Sequence, residues 1–139
     1  MNDDIICAIA TSRLEAAISI IRISGKGCID FVQSFFTGNL NKKSQTISYG
    51  YIVDGEEKVD EVLISIYRGQ HTFTGEEMVE INCHGGVLVM QKVLETVLQA
   101  GARLAEAGEF TKRSVLNGRI DLSRAEAVID VIHSQNEYA

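Results

Sequence analysis

The sequence has no proline in its 139 residues, where average usage near 5% predicts about seven. Tight turns must therefore be built from glycine, asparagine, aspartate and serine. Cysteine is scarce. Cys7, Cys28 and Cys83 are an odd set without a Cys-x-x-Cys pair, which argues against a disulfide framework or a zinc site and predicts three reduced thiols. No apolar run approaches the roughly 18 residues that cross a bilayer, and the opening residues Met1 to Asp4 are acidic where a secretory leader is basic. These features predict a cytoplasmic protein with no membrane partner. Basic residues are also in the minority: 13 against 19 acidic ones, a net charge of −6. That is the wrong sign for a surface that grips nucleic-acid phosphates across a broad face. The pattern Gly-x-x-x-x-Gly-Lys-Ser/Thr is missing, so the chain holds no nucleotide-hydrolysing P-loop, and no Ser/His/Asp order fits a hydrolase.

What is present suits one compact core, with 45% hydrophobic and 23% charged residues. The acidic patch from Asp54 to Glu61 and the basic group Arg103, Lys112, Arg113, Arg119 and Arg124 read as solvated faces. Ile5 to Ala10 and Ala16 to Ser24 are short isoleucine-rich runs, and they predict buried strands. Cys28, Phe31, Val32 and Phe35 recur at helical spacing between Lys26 and Phe36, followed by Gly38 as a cap. Thr46 to Val53 and Val59 to Tyr67 flank Asp54-Gly55, the turn chemistry of a hairpin. Glu77 to Cys83 alternates Val79, Ile81 and Cys83 with Met78, Glu80 and Asn82, so Glu80 and Ile81 point to opposite faces.

Val87, Met90, Val93, Leu94, Val97 and Leu98 predict an amphipathic helix stopped at Gly101. An extended piece near Ala102 to Ala105 precedes a short helix over Gly108 to Gly118. Ser123 and Glu126, three apart, fit a capping box that opens a last helix with the stripe Ala125, Val128, Ile129 and Ile132. That stripe has few partners within the chain, so residues 121–139 are expected to begin a further helical domain after a domain spanning 1–120. These patterns predict an α+β fold.

Two charges sit where the pattern demands core. Arg22 interrupts Ile18 to Ile23, and Glu80 lies between Val79 and Ile81. Burying either charge unpaired costs several kcal/mol, so each must reach a partner or line a wetted pocket. Two readings stand side by side: the charges pair with each other or emerge on an open sheet face, or they line a pocket for a small polar ligand. His84-Gly85-Gly86 offers backbone N–H groups to an anion, and the same glycines also serve a sharp strand-to-helix turn for steric reasons alone.

The stretches "AIATSRLEAAISIIRISG", "FTGEEMVEINCHGG" and "GARLAEAGEFTKRSVLNGRIDLSRAEAVIDVIHS" resemble, in order and spacing, the amino-terminal domain of the MnmE/TrmE family of tRNA-modifying GTPases. The resemblance implies a mixed sheet packed with helices, similar to the tetrahydrofolate-binding domain of glycine-cleavage aminomethyltransferases. It also implies a homodimer that binds 5-formyltetrahydrofolate or a related reduced folate. By matching motifs, the folate contacts fall on Arg22 in "IIRISG", Glu80 in "VEINCHGG" and Arg119 in "NGRIDL". The implied function is that of a module in a protein that modifies the tRNA wobble uridine together with MnmG (GidA), the folate supplying a one-carbon unit. GTP, Mg and K belong to a GTPase domain absent from this sequence. The family usually carries Pro-Pro-Gly-Arg-Gly where Ser12, Arg13, Leu14, Glu15 and Ala16 stand here. A free-standing aminomethyltransferase-like enzyme and a purely structural dimer block are the competing readings.

Overall fold

The computed structural model describes residues 4–10 and 19–119. The Ser12 to Ala16 departure, the expected domain boundary at 120 and the expected last helix lie outside the described residues. Two short apolar runs become β1 (Ile6–Ile9) and β2 (Ser19–Ser24), followed by α1 (Cys28–Gln33), β3 (Thr46–Asp54), β4 (Glu57–Tyr67), β5 (Met78–Cys83), α2 (Gly86–Ala100), β6 (Arg103–Leu104) and α3 (Glu109–Leu116). The strands form one sheet in the order β3-β4-β5-β2-β1-β6. Among the described strands only β6 runs parallel to its neighbour, β1, so the sheet is mixed and the fold is α+β as expected.

Period-2 alternation decides which face is which. Cys7, Ile21, Ile23, Val62, Ile64, Ile66, Val79, Ile81 and Cys83 all turn to one side. There they meet Cys28, Ile29 and Val32 of α1 and Met90, Val93 and Val97 of α2, the buried stripe of an amphipathic helix. α2 packs across β1 to β5 and ends where predicted, with Gly101 N–H donating to Leu98 O. At about 25 cal/mol per Å² of apolar area, this one-sided layer is the main stabilising term of the domain. The opposite face holds the residues of the other parity, Arg22 and Glu80 among them. α3 lies over that face, because its Phe110 ring sits 5.7 Å from the Arg22 guanidinium carbon.

Two boundaries differ from the sequence pattern for local reasons. The helix expected to run to Phe36 ends at Gln33, because Phe36 leaves it to bridge Ile52 of β3 while Val53 N–H donates to Phe35 O. The hairpin turn is Gly55-Glu56, with Asp54 still paired to Glu57. Gly55 takes the left-handed position at φ 63, which a tight hairpin requires and glycine adopts without a steric penalty. A register shift follows Ile52, where Val59 is the extra residue on β4.

Candidate functional site

β2 and β5 are adjacent in the sheet, and Arg22 and Glu80 are directly opposed across them. Arg22 donates through Nε and Nη2 to Glu80 Oε2, at 3.0 and 2.8 Å. The two misplaced charges therefore partner each other, but they are not sealed: the side chains remain 30% and 18% exposed. Tyr67, at the end of β4, donates its hydroxyl to Glu80 Oε1 at 3.2 Å. Burial, reinforced by the Glu80 carboxylate, pushes the Tyr67 phenol above its ordinary pKa and keeps it protonated as a donor.

Above this pair the Arg22 guanidinium is flanked by two rings, Phe73 at 5.5 Å and Phe110 at 5.7 Å. Both are within cation–π range. Arg22, Tyr67, Phe73, Met78 and Glu80 line an open cavity of about 180 Å³. A cavity that encloses a whole drug-sized ligand measures roughly 300 Å³ or more. This one is smaller than that. Two clefts beside α2 share Asp54, Thr96 and Gln99 in their linings, and neither combines an arginine–carboxylate pair with an aromatic ring.

Arg119 is placed differently. It is exposed, and its Nε donates to Thr72 O at 2.9 Å, so its anchored nitrogen faces the loop that carries Phe73. The structure thus brings Arg22 and Glu80 together and sets Arg119 against the loop, outside the lining of the cavity.

Arg113 overturns its expected place on a solvated face. It is only 2% exposed, donating to Asp4 Oδ1 at 2.6 Å, Asp4 O at 2.8 Å and Glu76 Oε2 at 2.9 Å. Glu76 Oε2 also accepts from Ser24 Oγ at 2.7 Å, two residues beyond Arg22. Arg103 adds bridges to Asp4 and Glu109, both at 2.6 Å. Its hydrogen bond, with help from Arg113, lowers the Asp4 carboxyl to about 2, and Glu109 is lowered chiefly by Arg103 as well. This network ties the start of β1, the loop before β5 and α3 into one corner of the molecule. No periodic signal could reveal it, because the buried residues of α3 are Thr111, Arg113 and Ser114, which are not apolar.

The His84-Gly85 turn does receive an anion, and it is internal. The N–H groups of His84 and Gly85 donate to Asp60 Oδ2 at 2.9 and 3.4 Å. Two of the backbone donors that suggested a ligand cradle, those of His84 and Gly85, are taken by this β4 side chain.

The family profile described as GTP-binding protein TrmE N-terminus matches residues 5–119. The chain belongs to this family. Among curated relatives it is similar to the tRNA modification GTPase MnmE of Lachnoclostridium phytofermentans, 54% identical over all of this chain and 32% of the relative. Proteins of the same description from Finegoldia magna and Carboxydothermus hydrogenoformans are each 51% identical over 99% of this chain and 31% of their own length. The chain spans about a third of the length of the curated relatives it matches.

In this TrmE N-terminus domain, the segments that carry the resemblance supply four of the five residues that line the cavity. "IIRISG" supplies Arg22, "FTGEE" begins at Phe73 and "VEINC" holds Glu80, while "GEFTKR" supplies Phe110 beside Arg22 and Arg113 in the neighbouring buried corner. Tyr67 and Phe73 carry no local sign of function. Tyr67 shows its side only through the alternation of Val62, Ile64 and Ile66, which leaves it on the Glu80 face.

Proposed function

We propose that this chain is the folate-binding and dimer-forming N-terminal module of a tRNA modification GTPase, with 5-formyltetrahydrofolate or a related reduced folate held at Glu80 and Arg22. The observation that carries this reading is a largely buried carboxylate lining an open cavity, with Arg22 across it and rings beside Arg22. A pterin presents adjacent N–H donors along one edge, and a carboxylate accepts such donors in parallel. Glu80 has roughly four acceptor sites, and three are engaged: two by Arg22 and one by Tyr67. One acceptor site on Oε1 is therefore left for a ligand, and the second contact requires Arg22 to yield one of its two bonds.

Arg22 and Arg119 supply permanent positive charge for the ligand's carbonyl or tail carboxylates. Phe73 and Met78 keep water from the head group. When bound, the folate supplies a one-carbon unit, and what this chain contributes is its orientation. MnmG and tRNA are then partners of the longer protein. The likeness to the folate-binding domain of glycine-cleavage aminomethyltransferases belongs to the same proposal.

Dimerisation has its own support. On the cavity face, beyond Glu80 and Ser65 in the same cross-strand row, Ile47 is 59% exposed, and the next row exposes Tyr49 and Leu63 by 56% and 37%. Such a patch favours a second copy on that face.

One observation favours a second reading, a structural block: Arg22 and Glu80 satisfy each other without a ligand. Calorimetric titration of the protein with 5-formyltetrahydrofolate separates the two. Saturable binding with about one site per chain supports the folate module. A flat titration supports the block, and light scattering over a dilution series reports the dimer in either case.

A further inference from the structure

α3 and the residues just after it hold three successive carbonyls of the loop before β5. Arg119 Nε donates to Thr72 O at 2.9 Å, Ser114 Oγ donates to Phe73 O, and Asn117 Nδ2 donates to Thr74 O at 2.8 Å. The loop approaches this helix end closely. Gly75 sits at φ 80, and a Cβ there would lie 2.5 Å from Asn117 Cβ, so any side chain would push the two apart. Thr72 closes the loop on itself by donating to Glu76 O at 2.5 Å.

The middle carbonyl belongs to Phe73, whose side chain is 45% exposed. A half-exposed ring on a loop has little packing to fix it, yet this one stands over Arg22. Three anchored carbonyls on consecutive residues restrict the φ and ψ angles between them, and that restriction aims the ring.

We propose that Ser114, Asn117 and Arg119 are positioning residues for the cavity: they fix the backbone of loop 72–74 so that Phe73 forms a rigid wall against the Arg22 guanidinium. The proposal rests on the folate reading of that cavity. A preset wall holds Arg22 with its Nε and Nη2 toward Glu80 and removes ordering that a flat ligand would otherwise have to impose on binding. Arg119 thereby contributes to the site through its Nε bond, whatever its terminal nitrogens do.

The test is a double-mutant cycle between Asn117→Ala and Phe73→Ala, read as affinity for 5-formyltetrahydrofolate. Asn117 is exposed, so its truncation removes the hydrogen bond without opening a core cavity. Asn117→Ala is expected to weaken binding on the order of fivefold, and to add less than about twofold when Phe73 is already alanine. A merely structural role would instead lower affinity equally in both backgrounds, and that result overturns the proposal, as does parent affinity in Asn117→Ala. Glu80→Gln serves as the control for the folate reading: a loss there with none in Asn117→Ala sinks the clamp alone, whereas parent affinity in Glu80→Gln sinks the folate site. A second readout needs no ligand. The Arg22 Nε–H resonance, shifted by the Phe73 ring, should move in Asn117→Ala toward its position in Phe73→Ala, and an unmoved resonance overturns the clamp whatever folate does.

Discussion

Arg22 delivers both Nε and Nη2 to a single oxygen of Glu80, at 3.0 and 2.8 Å, while the other oxygen faces Tyr67. A bidentate structural bridge would use both carboxylate oxygens. Here the bond is one-sided, and the partly exposed pair is shielded by rings on the Arg22 side. The arrangement concentrates both Arg22 bonds on Oε2 and leaves Oε1 with the Tyr67 hydroxyl alone.

The Arg113 corner is expected to matter for stability far more than its polar helix suggests. Arg113→Met keeps much of the volume but leaves Glu76, with 15% of its side chain exposed, without its cation. Removing one partner of a buried pair costs about 3 kcal/mol, measurable as a lower urea midpoint with unchanged slope. A loss below about 1 kcal/mol would mean that water reaches this corner and replaces the guanidinium.

Acid should loosen the same corner. Asp4 is held at about 2 by Arg103 first and Arg113 second, and Glu109 is also lowered. Their folded values lie below the unfolded ones, so between the two the unfolded chain binds more protons. The stabilisation is therefore present above pH ~4 and lost as pH falls toward 2. Arg103 and Asp4 are each about two-fifths exposed, so solvent screening limits their pair to about 1 kcal/mol or less. Thermal midpoints of Arg103→Gln should lie below the parent at pH 6 and converge with it near pH 2. Parallel curves across that range would contradict the assignment.

All three thiols are buried and unpaired by disulfides. Burial raises Cys7 to about 11 and Cys83 to about 12, and raises Cys28 further still. Thiolate is the reactive form, so iodoacetamide at pH 8 should leave the native protein unlabelled and modify all three cysteines once urea is added. Rapid labelling of any one in the native state would show that its side of the sheet opens.

Much of this was legible in the sequence because period-2 and helical spacing are local signals. Val79, Ile81 and Cys83 marked one face of β5, and the charge of Glu80 stood out against them. The pairing of Arg22 with Glu80 joins residues 58 apart in sequence and depends on β2 lying beside β5, which no local pattern encodes. Arg113 was hidden for a different reason. Its burial is enforced by Asp4 and Glu76, which are distant in sequence, and a helix whose buried side is Thr111, Arg113 and Ser114 has no apolar stripe to read. At the His84-Gly85 turn, where the sequence left an anion cradle and a steric turn side by side, the N–H groups of His84 and Gly85 are satisfied by Asp60 within the fold.

Whether Glu80 serves a ligand beyond its role as a counter-ion is tested by folate affinity and thermal midpoint taken together for Glu80→Gln and Arg22→Gln. The glutamine amide can turn its oxygen to Arg22 and its NH₂ to the Tyr67 hydroxyl, so Glu80→Gln should fold with a midpoint close to the parent's. Its affinity for 5-formyltetrahydrofolate should fall about 30-fold, because a donor now faces a donor in a partly desolvated site, a penalty of ~2 kcal/mol. Arg22→Gln should likewise lose affinity by more than its change in stability explains. If both variants melt well below the parent while their folded fraction binds the folate with undiminished affinity, the pair is a structural bridge and the folate assignment is wrong.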